Sequence, residues 1–254
     1  MLEPVLLQTR SPDTSGAHVR RGSAPGAEPN ALPDLLLIER SRGGDARAIE
    51  ALIRRYGQRL FRVARSVLAD EERAEAAVLA AYLNAFADLN RYEPAGKFAA
   101  WLTRLTFNQA KALRAGTRPT AHTAAVPQAA DGARATAAVA LEQAAGAAAD
   151  ESPQRRELEQ AIGRLPEVFR TVFVLRVIEG ISGIETAASL MVHETTVRTR
   201  LYRALRRLGP DTVGRVRLTP GLLQLTPACS ERMVRGVLSA RPHGSMLTIS
   251  ASPP

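Results

Sequence analysis

The chain has 254 residues, a formal net charge of +9 and a single cysteine, Cys229, which excludes an internal disulfide framework and any cysteine-based zinc finger. Its four histidines, His18, His122, His193 and His243, are too scattered to make a metal site by spacing, so neither metal nor other cofactor is expected. No apolar stretch reaches the roughly 18 residues of a membrane span and the N-terminus lacks a signal-peptide core, which predicts a cytoplasmic protein without membrane insertion. Almost all the positive charge is arginine, with lysine only at Lys97 and Lys111, and it calls for an anionic partner.

Residues 1–32 are rich in Pro, Gly, Ser, Ala and Arg without sustained period and read as a disordered arm. Residues 33–115 read as successive helices. Asp45 caps a helix whose Ile49, Leu52, Ile53, Tyr56, Leu60, Val63 and Val67 recur at helical spacing, and a second helix runs from about Glu71 to Ala87. A loop at 89–96 precedes another helix carrying Phe98, Trp101, Leu102, Leu105 and Leu113. Residues 116–153 shift to Ala, Thr, Gly and Pro, too few large apolar groups to bury, and read as a flexible linker with a weak helical tendency near 133–148.

A second helical domain is expected over 154–210. Leu158, Ile162, Leu165, Val168, Phe169, Val172, Phe173, Leu175 and Val177 supply its core, and Pro166 stands where a helix can begin. Ser182 and Glu185 form a capping-box pattern for a short helix whose apolar face is Ile184, Ala187, Ala188 and Leu190. After a turn at Met191–His193, a second helix aligns Val197, Leu201, Ala204 or Leu205, and Leu208 as one buried stripe. Arg198, Thr199, Tyr202, Arg203 and Arg206 fall on the other side. An arginine-rich face can be mere solvated surface. Here capping box, turn and one-sided arginine agree on a helix-turn-helix whose second helix enters a DNA major groove. Residues 211–254 read as an irregular extension with a short amphipathic helix at 229–240 through Met233, Val234, Val237 and Leu238. Cys229 reads first as a packed thiol; tail docking on the second domain and redox sensing are the other readings. The fold class is therefore all-α: two small helical domains, a flexible linker and a C-terminal helix-turn-helix.

Several blocks in this order resemble one family: residues 44–56, 98–105 followed by Asn108, 165–170 and 196–204. Together they are similar to the extracytoplasmic-function sigma factors of the bacterial sigma-70 family, over about Leu35 to Leu208. The resemblance implies a transcription initiation factor, not an enzyme, that binds core RNA polymerase and promoter DNA, helps melt the duplex, and is held inactive by an anti-sigma factor. By position, Arg198, Thr199, Tyr202 and Arg203 match the family's readers of the upstream promoter element, with Arg200, Arg206 and Arg207 set toward phosphate. Tyr92, Asn108 and Lys111 correspond to the pocket and rim that hold a flipped base of the melted element, with Arg104 and Arg114 as phosphate partners or solvated surface. For Phe98 and Trp101 core packing is the preferred reading.

The pattern breaks at the helix that binds polymerase in the family. Where members usually carry an acid, two valines, glutamine and glutamate before an aromatic, this chain has Ala76, Leu79 and Ala80 in place of the polar residues, then Tyr82. A DNA-binding regulator that no longer joins polymerase, and a decoy for an anti-sigma factor, are the readings this departure leaves open. No glycine-rich phosphate loop, nucleophile elbow or metal cluster supports an enzyme, and Glu71, Glu72 and Glu75 read as an exposed helical start.

Overall fold

A computed structural model describes residues 32–93, 97–116 and 152–240, and among them every regular element is helical. The arm at 1–31, the bulk of the linker and the last fourteen residues, about which the sequence raised expectations, lie outside the described residues.

Four helices build the first unit: α1 (Asp34–Arg42), α2 (Ala46–Val67), α3 (Glu71–Ala87) and α4 (Phe98–Arg114). The Asp45 carboxylate caps α2 by accepting from the backbone N–H of Arg47 at 2.9 Å and Ala48 at 3.4 Å. Helix α2 is the central strut: Ile49, Leu52, Ile53, Leu60, Phe61 and Val67 are buried against the other three helices. Asp70 caps α3 through the Glu72 N–H. Helix α3 buries mostly alanines, Ala74, Ala77, Ala81 and Ala85, and these small side chains let α4 pack close against it.

The second unit contains α5 (Pro153–Gly163), α6 (Glu167–Phe173), α7 (Gly183–Leu190) and α8 (Glu194–Leu208). Its Ser152 cap and Pro153 at the first turn start α5. A π turn at Val174–Ile178 extends α6. The stretch after 210, expected to be irregular, instead forms α9 (Pro210–Leu218), and the core of this unit runs on through Val213, Val216, Leu222 and Leu223. Gly209, at φ +78°, ends α8 and Pro210 restarts the chain as a helix. With only two buried side chains in nine residues, α9 left little periodicity to read.

The two units lie against each other. Val63 of α2 is buried in one cluster with Val172, Leu175, Ile181, Leu190 and Val197. Beside it the Ser66 hydroxyl bonds Thr171 Oγ1 at 3.0 Å, and Arg170 donates to the Ser66 carbonyl. A last helix, α10 (Pro227–Ala240), packs on α2 and α3. The tail therefore docks on the first unit rather than on the second domain. Cys229 is fully buried there and burial pushes its thiol pKa up, so the docked helix holds it as a packed, unreactive group rather than a redox sensor.

Candidate nucleic-acid interface

Helices α7 and α8 meet at a tight turn. Ser182 Oγ accepts from the Glu185 N–H at 3.2 Å, making half of the expected capping box. The Glu185 carboxylate does not reach back: it faces Lys97 at 3.0 Å and Arg59 at 3.6 Å in the first unit. Met191 closes α7 in the left-handed region at φ 53°, which swings the chain into α8. Of the apolar face expected on α7, Ala187 and Leu190 are buried, whereas Ala188 is exposed and Ile184 is 72% exposed. A helix this short, docked on α8 and α4, buries a narrower stripe than its apolar residues allow.

On α8 the stripe is as expected: Val197 and Ala204 are buried, with Leu201, Leu205 and Leu208 packed around them. Arg198, Thr199, Tyr202, Arg203 and Arg206 are exposed together, and Arg200 is half-buried. The Arg206 guanidinium lies over the Tyr202 ring, 5.8 Å from its centroid, and Arg207 over Phe169 at 5.3 Å. Thr199 turns its hydroxyl back to the Thr195 carbonyl at 2.9 Å. Among the described residues no carboxylate pairs with Arg198, Arg200, Arg203 or Arg206. This face presents unneutralised guanidinium groups, each able to donate in a planar fork.

The second candidate surface surrounds the start of α4. Tyr92, Phe98 and Trp101 form an aromatic cluster, Tyr92 lying 4.8 Å from Trp101 and 5.3 Å from Phe98 by ring centroids. Phe98 is buried, as the packing reading expected. Trp101 is only half-buried and, with Tyr92, Arg91, Lys97 and Arg104, lines a cavity of about 570 Å³. That volume accommodates a small planar group on an aromatic floor, with the cations Arg91, Lys97 and Arg104 and the acids Asp88 and Glu93 around it. Asn108 and Lys111 are exposed farther along α4, Lys111 sitting 5.5 Å from the Phe107 ring centroid, and neither lines the cavity. Arg114 is paired with Glu167 of the second unit.

The helix-turn-helix reaches this surface: Ala188 of α7 forms part of the cavity wall, and Arg104 Nη1 is 3.6 Å from Met191 Sδ. Sequence reasoning missed the acidic partners that make this closure, Glu167, Glu179 and Glu185, because they belong to the other unit and no spacing links them to their cations.

Helix α3 disposes its four candidate residues unequally. Ala76 is exposed, Leu79 and Ala80 are half-buried, and Tyr82 is fully buried, its hydroxyl donating to the Ile53 carbonyl at 3.0 Å. Tyr82 therefore offers no ring surface to a partner: Val78, Tyr82 and Phe86, four residues apart, all face inward. Glu75, read as exposed, is bidentately paired with Arg232 of α10.

The family model for sigma-70 region 2 matches residues 52–118, and that for sigma-70 region 4 matches residues 155–208. The chain is similar to the RNA polymerase sigma factor CnrH of Cupriavidus metallidurans, 30% identical over 184 residues covering 69% of this chain and 92% of that protein. It is 29% identical to the RNA polymerase sigma-H factor of Pseudomonas aeruginosa over 183 residues, 67% of this chain and 89% of that protein. A solved structure of CnrH in complex with the cytosolic domain of CnrY aligns with a TM-score of 0.48 at 26% identity, covering 69% of this chain and 94% of that chain.

Proposed function

The chain belongs to the extracytoplasmic-function group of sigma-70 family RNA polymerase sigma factors, and on that premise we propose a division of labour among its surfaces in promoter-directed transcription initiation. Its partners are core RNA polymerase, promoter DNA and an anti-sigma factor, and it works in the cytoplasm where these meet. None of its described helices is long and apolar enough to cross a membrane. Nucleotide addition belongs to the polymerase; this chain contributes binding energy alone and needs no cofactor for it.

The observation that carries this reading is the coexistence of two unlike nucleic-acid surfaces: the unpaired arginine face of α8 and the aromatic-floored cavity before α4. The first suits duplex and the second suits unstacked bases. On α8, Arg198, Thr199, Tyr202 and Arg203 face base edges, while Arg200, Arg206 and Arg207 hold phosphates. At the cavity, Tyr92 and Trp101 receive a base of the melted strand, and Lys97, Arg104, Asn108, Lys111 and Arg114 follow its backbone. Extruding a base costs a few kcal/mol, and stacking on an aromatic group returns about 1–3 kcal/mol per base, so the cavity offsets part of the cost of extruding the base it holds.

Run-off transcription tests the whole reading. Purified protein with core polymerase on fragmented genomic DNA is expected to give transcript starts that share an upstream element and a melted downstream element. DNA shifts without any starts would turn the reading toward a regulator, and neither activity toward a decoy.

The assignment on α8 has its own test. Arg198→Ala and Arg203→Ala are each expected to lose about 1–3 kcal/mol of discrimination between the preferred and mutated upstream element, relaxing sequence preference. Arg206→Ala is expected to weaken all sequences alike and to lower the slope of log K against log salt by about 0.9. Gel-shift titrations at several salt concentrations separate these behaviours; identical, sequence-independent losses for all three variants would overturn the assignment.

A further inference from the structure

The C-terminal segment after α9 does two things at once. Leu222 and Leu223 are buried in the core of the second unit, while Cys229, Met233, Val234 and Val237 are buried in the core of the first. Between them the chain is fastened by its backbone. Gln58 of α2 donates from Nε2 to the Leu223 carbonyl at 3.0 Å and accepts from the Leu225 N–H at 3.0 Å, a two-point clasp. Arg62 donates to the Leu222 carbonyl at 2.9 Å, and Glu159 of α5 accepts from the Leu223 N–H at 2.8 Å. Leu223 is held at φ 51°, a left-handed conformation that a leucine adopts only where its surroundings impose it. This segment is a strap across both units.

Its helix, α10, lies on the side of α3 that carries Leu79. The fit is close and specific. A Cβ on Gly236 of α10 would stand 3.1 Å from Leu79 Cδ1, and a Cβ on Gly57 of α2 would stand 3.2 Å from Leu225 Cδ2. Both glycines sit inside helices, where glycine is unfavourable, and each leaves room for a leucine across the interface. Charge agrees as well: Arg232 forks onto Glu75 at 2.8 and 2.6 Å, and Glu231 accepts from Arg54 at 2.6 Å. The departure from the family pattern at Leu79 thus has an occupant within the chain. An apolar side chain in place of a polar one is what a helix bearing Gly236 can cover flush.

We propose that residues 222–240 are a built-in mask that covers the Leu79 side of the polymerase-docking face of α3, leaving Ala76 exposed, and ties the two units together, so that core polymerase must displace α10 to bind. This rests on the sigma-factor reading of α3 given above. The mask lowers apparent affinity for polymerase by the ratio of closed to open chains. Only α10 moves; the core of the first unit beneath it, built by α1 to α4, stays.

Cys229, the only cysteine in the chain, reports the state of the strap without any label. The experiment uses the full chain and two strap variants: Met233→Asp with Val237→Asp, which places charge under α10, and Gly236→Phe, which wedges α10 off Leu79 without a buried charge. Circular dichroism confirms that each remains helical, and the milder Gly236→Phe stands if the doubly charged variant does not fold. Alkylation of Cys229 by iodoacetamide is followed by mass spectrometry, and affinity for core polymerase by interferometry. In the unaltered chain Cys229 is expected to be protected and to become reactive when core polymerase is added. In the variants alkylation is expected to rise, and polymerase to bind roughly tenfold more tightly or better. A synthetic peptide of residues 222–240 in excess is expected to reverse the gain. Rapid alkylation of the unaltered chain would overturn the proposal, because the strap would not be docked. Equal polymerase affinity of masked and opened chains would overturn it while leaving the sigma-factor reading intact. No binding by either would sink the sigma-factor reading and the mask with it.

Discussion

Reversing two charges, Glu179→Lys with Glu185→Lys, is expected to separate the two helical units and expose the cavity at the start of α4. Both carboxylates belong to the second unit and both are sandwiched by cations of the first. Glu179, its side chain only 10% exposed, lies 2.7 Å from Arg62 Nη1 and 3.6 Å from Arg59 Nε. Glu185, 14% exposed, lies 3.6 Å from Arg59 Nη1 and 3.0 Å from Lys97 Nζ. Arg59 and Arg62, 26% and 17% exposed, are screened weakly, and stripping their acidic partners leaves cations that water reaches poorly, whereas Lys97, 74% exposed, adds little. Replacing both acids with lysine adds repulsion to that loss, for a combined effect of about 3–5 kcal/mol against the closed arrangement. The apolar patch at Val63 and the strap at 222–240 both oppose opening, so the units are expected to part at the face of Glu179 and Glu185 while the strap keeps them tethered.

Small-angle scattering is expected to show a larger radius of gyration, and a single-stranded oligonucleotide is expected to bind the opened chain more tightly. New lysines on α7 attract DNA by charge alone, so the paired control is Glu179→Gln with Glu185→Gln. It removes the attraction without adding positive charge and is expected to open the chain to a smaller degree. An unchanged radius in both variants would mean that the Val63 patch and the strap at 222–240 hold the units together without the ion pairs. Under the proposed assignment of the cavity to the melted strand, that strand and the helix-turn-helix would compete for one place until the units part, because α7 forms part of the cavity wall and Met191 rests on Arg104.

What could be read from the sequence follows from what periodicity encodes. Asp45 and Ser182 were legible as caps because a cap is a local device, one side chain and the next turn of backbone. The buried stripe of α8 was legible because Val197, Leu201, Ala204 and Leu208 lie on one face whatever covers it. The identity of the cover was not. Met233, Val234 and Val237 announce an amphipathic helix, yet nothing in their spacing says that they pack on α2 and α3, some 150 residues away in sequence. The same blindness hid the ion pairs of Glu179 and Glu185, whose partners are set by how the two units meet. Candidate residues carried over by position fared according to geometry. Those on α8 are exposed together except for the half-buried Arg200, whereas those around the start of α4 divide between the cavity, where Tyr92 of the preceding loop and Arg104 lie, and the outer face of the helix.

Tyr82 shows where the available signal was passed over. Alignment by position placed it among residues that face polymerase, but its spacing of four from Val78 and from Phe86 places it on the inward side, and its ring stacks with Phe86 at 6.0 Å. Tyr82→Ala is therefore expected to act through stability, costing about 3–5 kcal/mol for the lost ring and the cavity left behind. Tyr82→Phe keeps the ring and loses only the hydrogen bond to the Ile53 carbonyl, costing about 1 kcal/mol, with polymerase affinity unchanged in the folded protein.

Complete burial also raises the Tyr82 phenol pKa well above its ordinary value, so the folded chain keeps that proton. The sign follows: this contribution to stability is fully present below the unfolded phenol's pKa of about 10 and is lost as pH rises beyond it. Tyr82→Phe removes that sensitivity, and chemical denaturation between neutral pH and pH ~11 is expected to fall less steeply for the variant than for the unaltered chain. Thermal and chemical unfolding decide the matter together with binding. If Tyr82→Ala melts at an unchanged temperature while its affinity for core polymerase collapses, Tyr82 is a contact residue and α3 is turned the other way. If stability falls and the Tyr82→Phe variant binds polymerase normally, the docking face of α3 comprises Ala76, Leu79 and Ala80 without it.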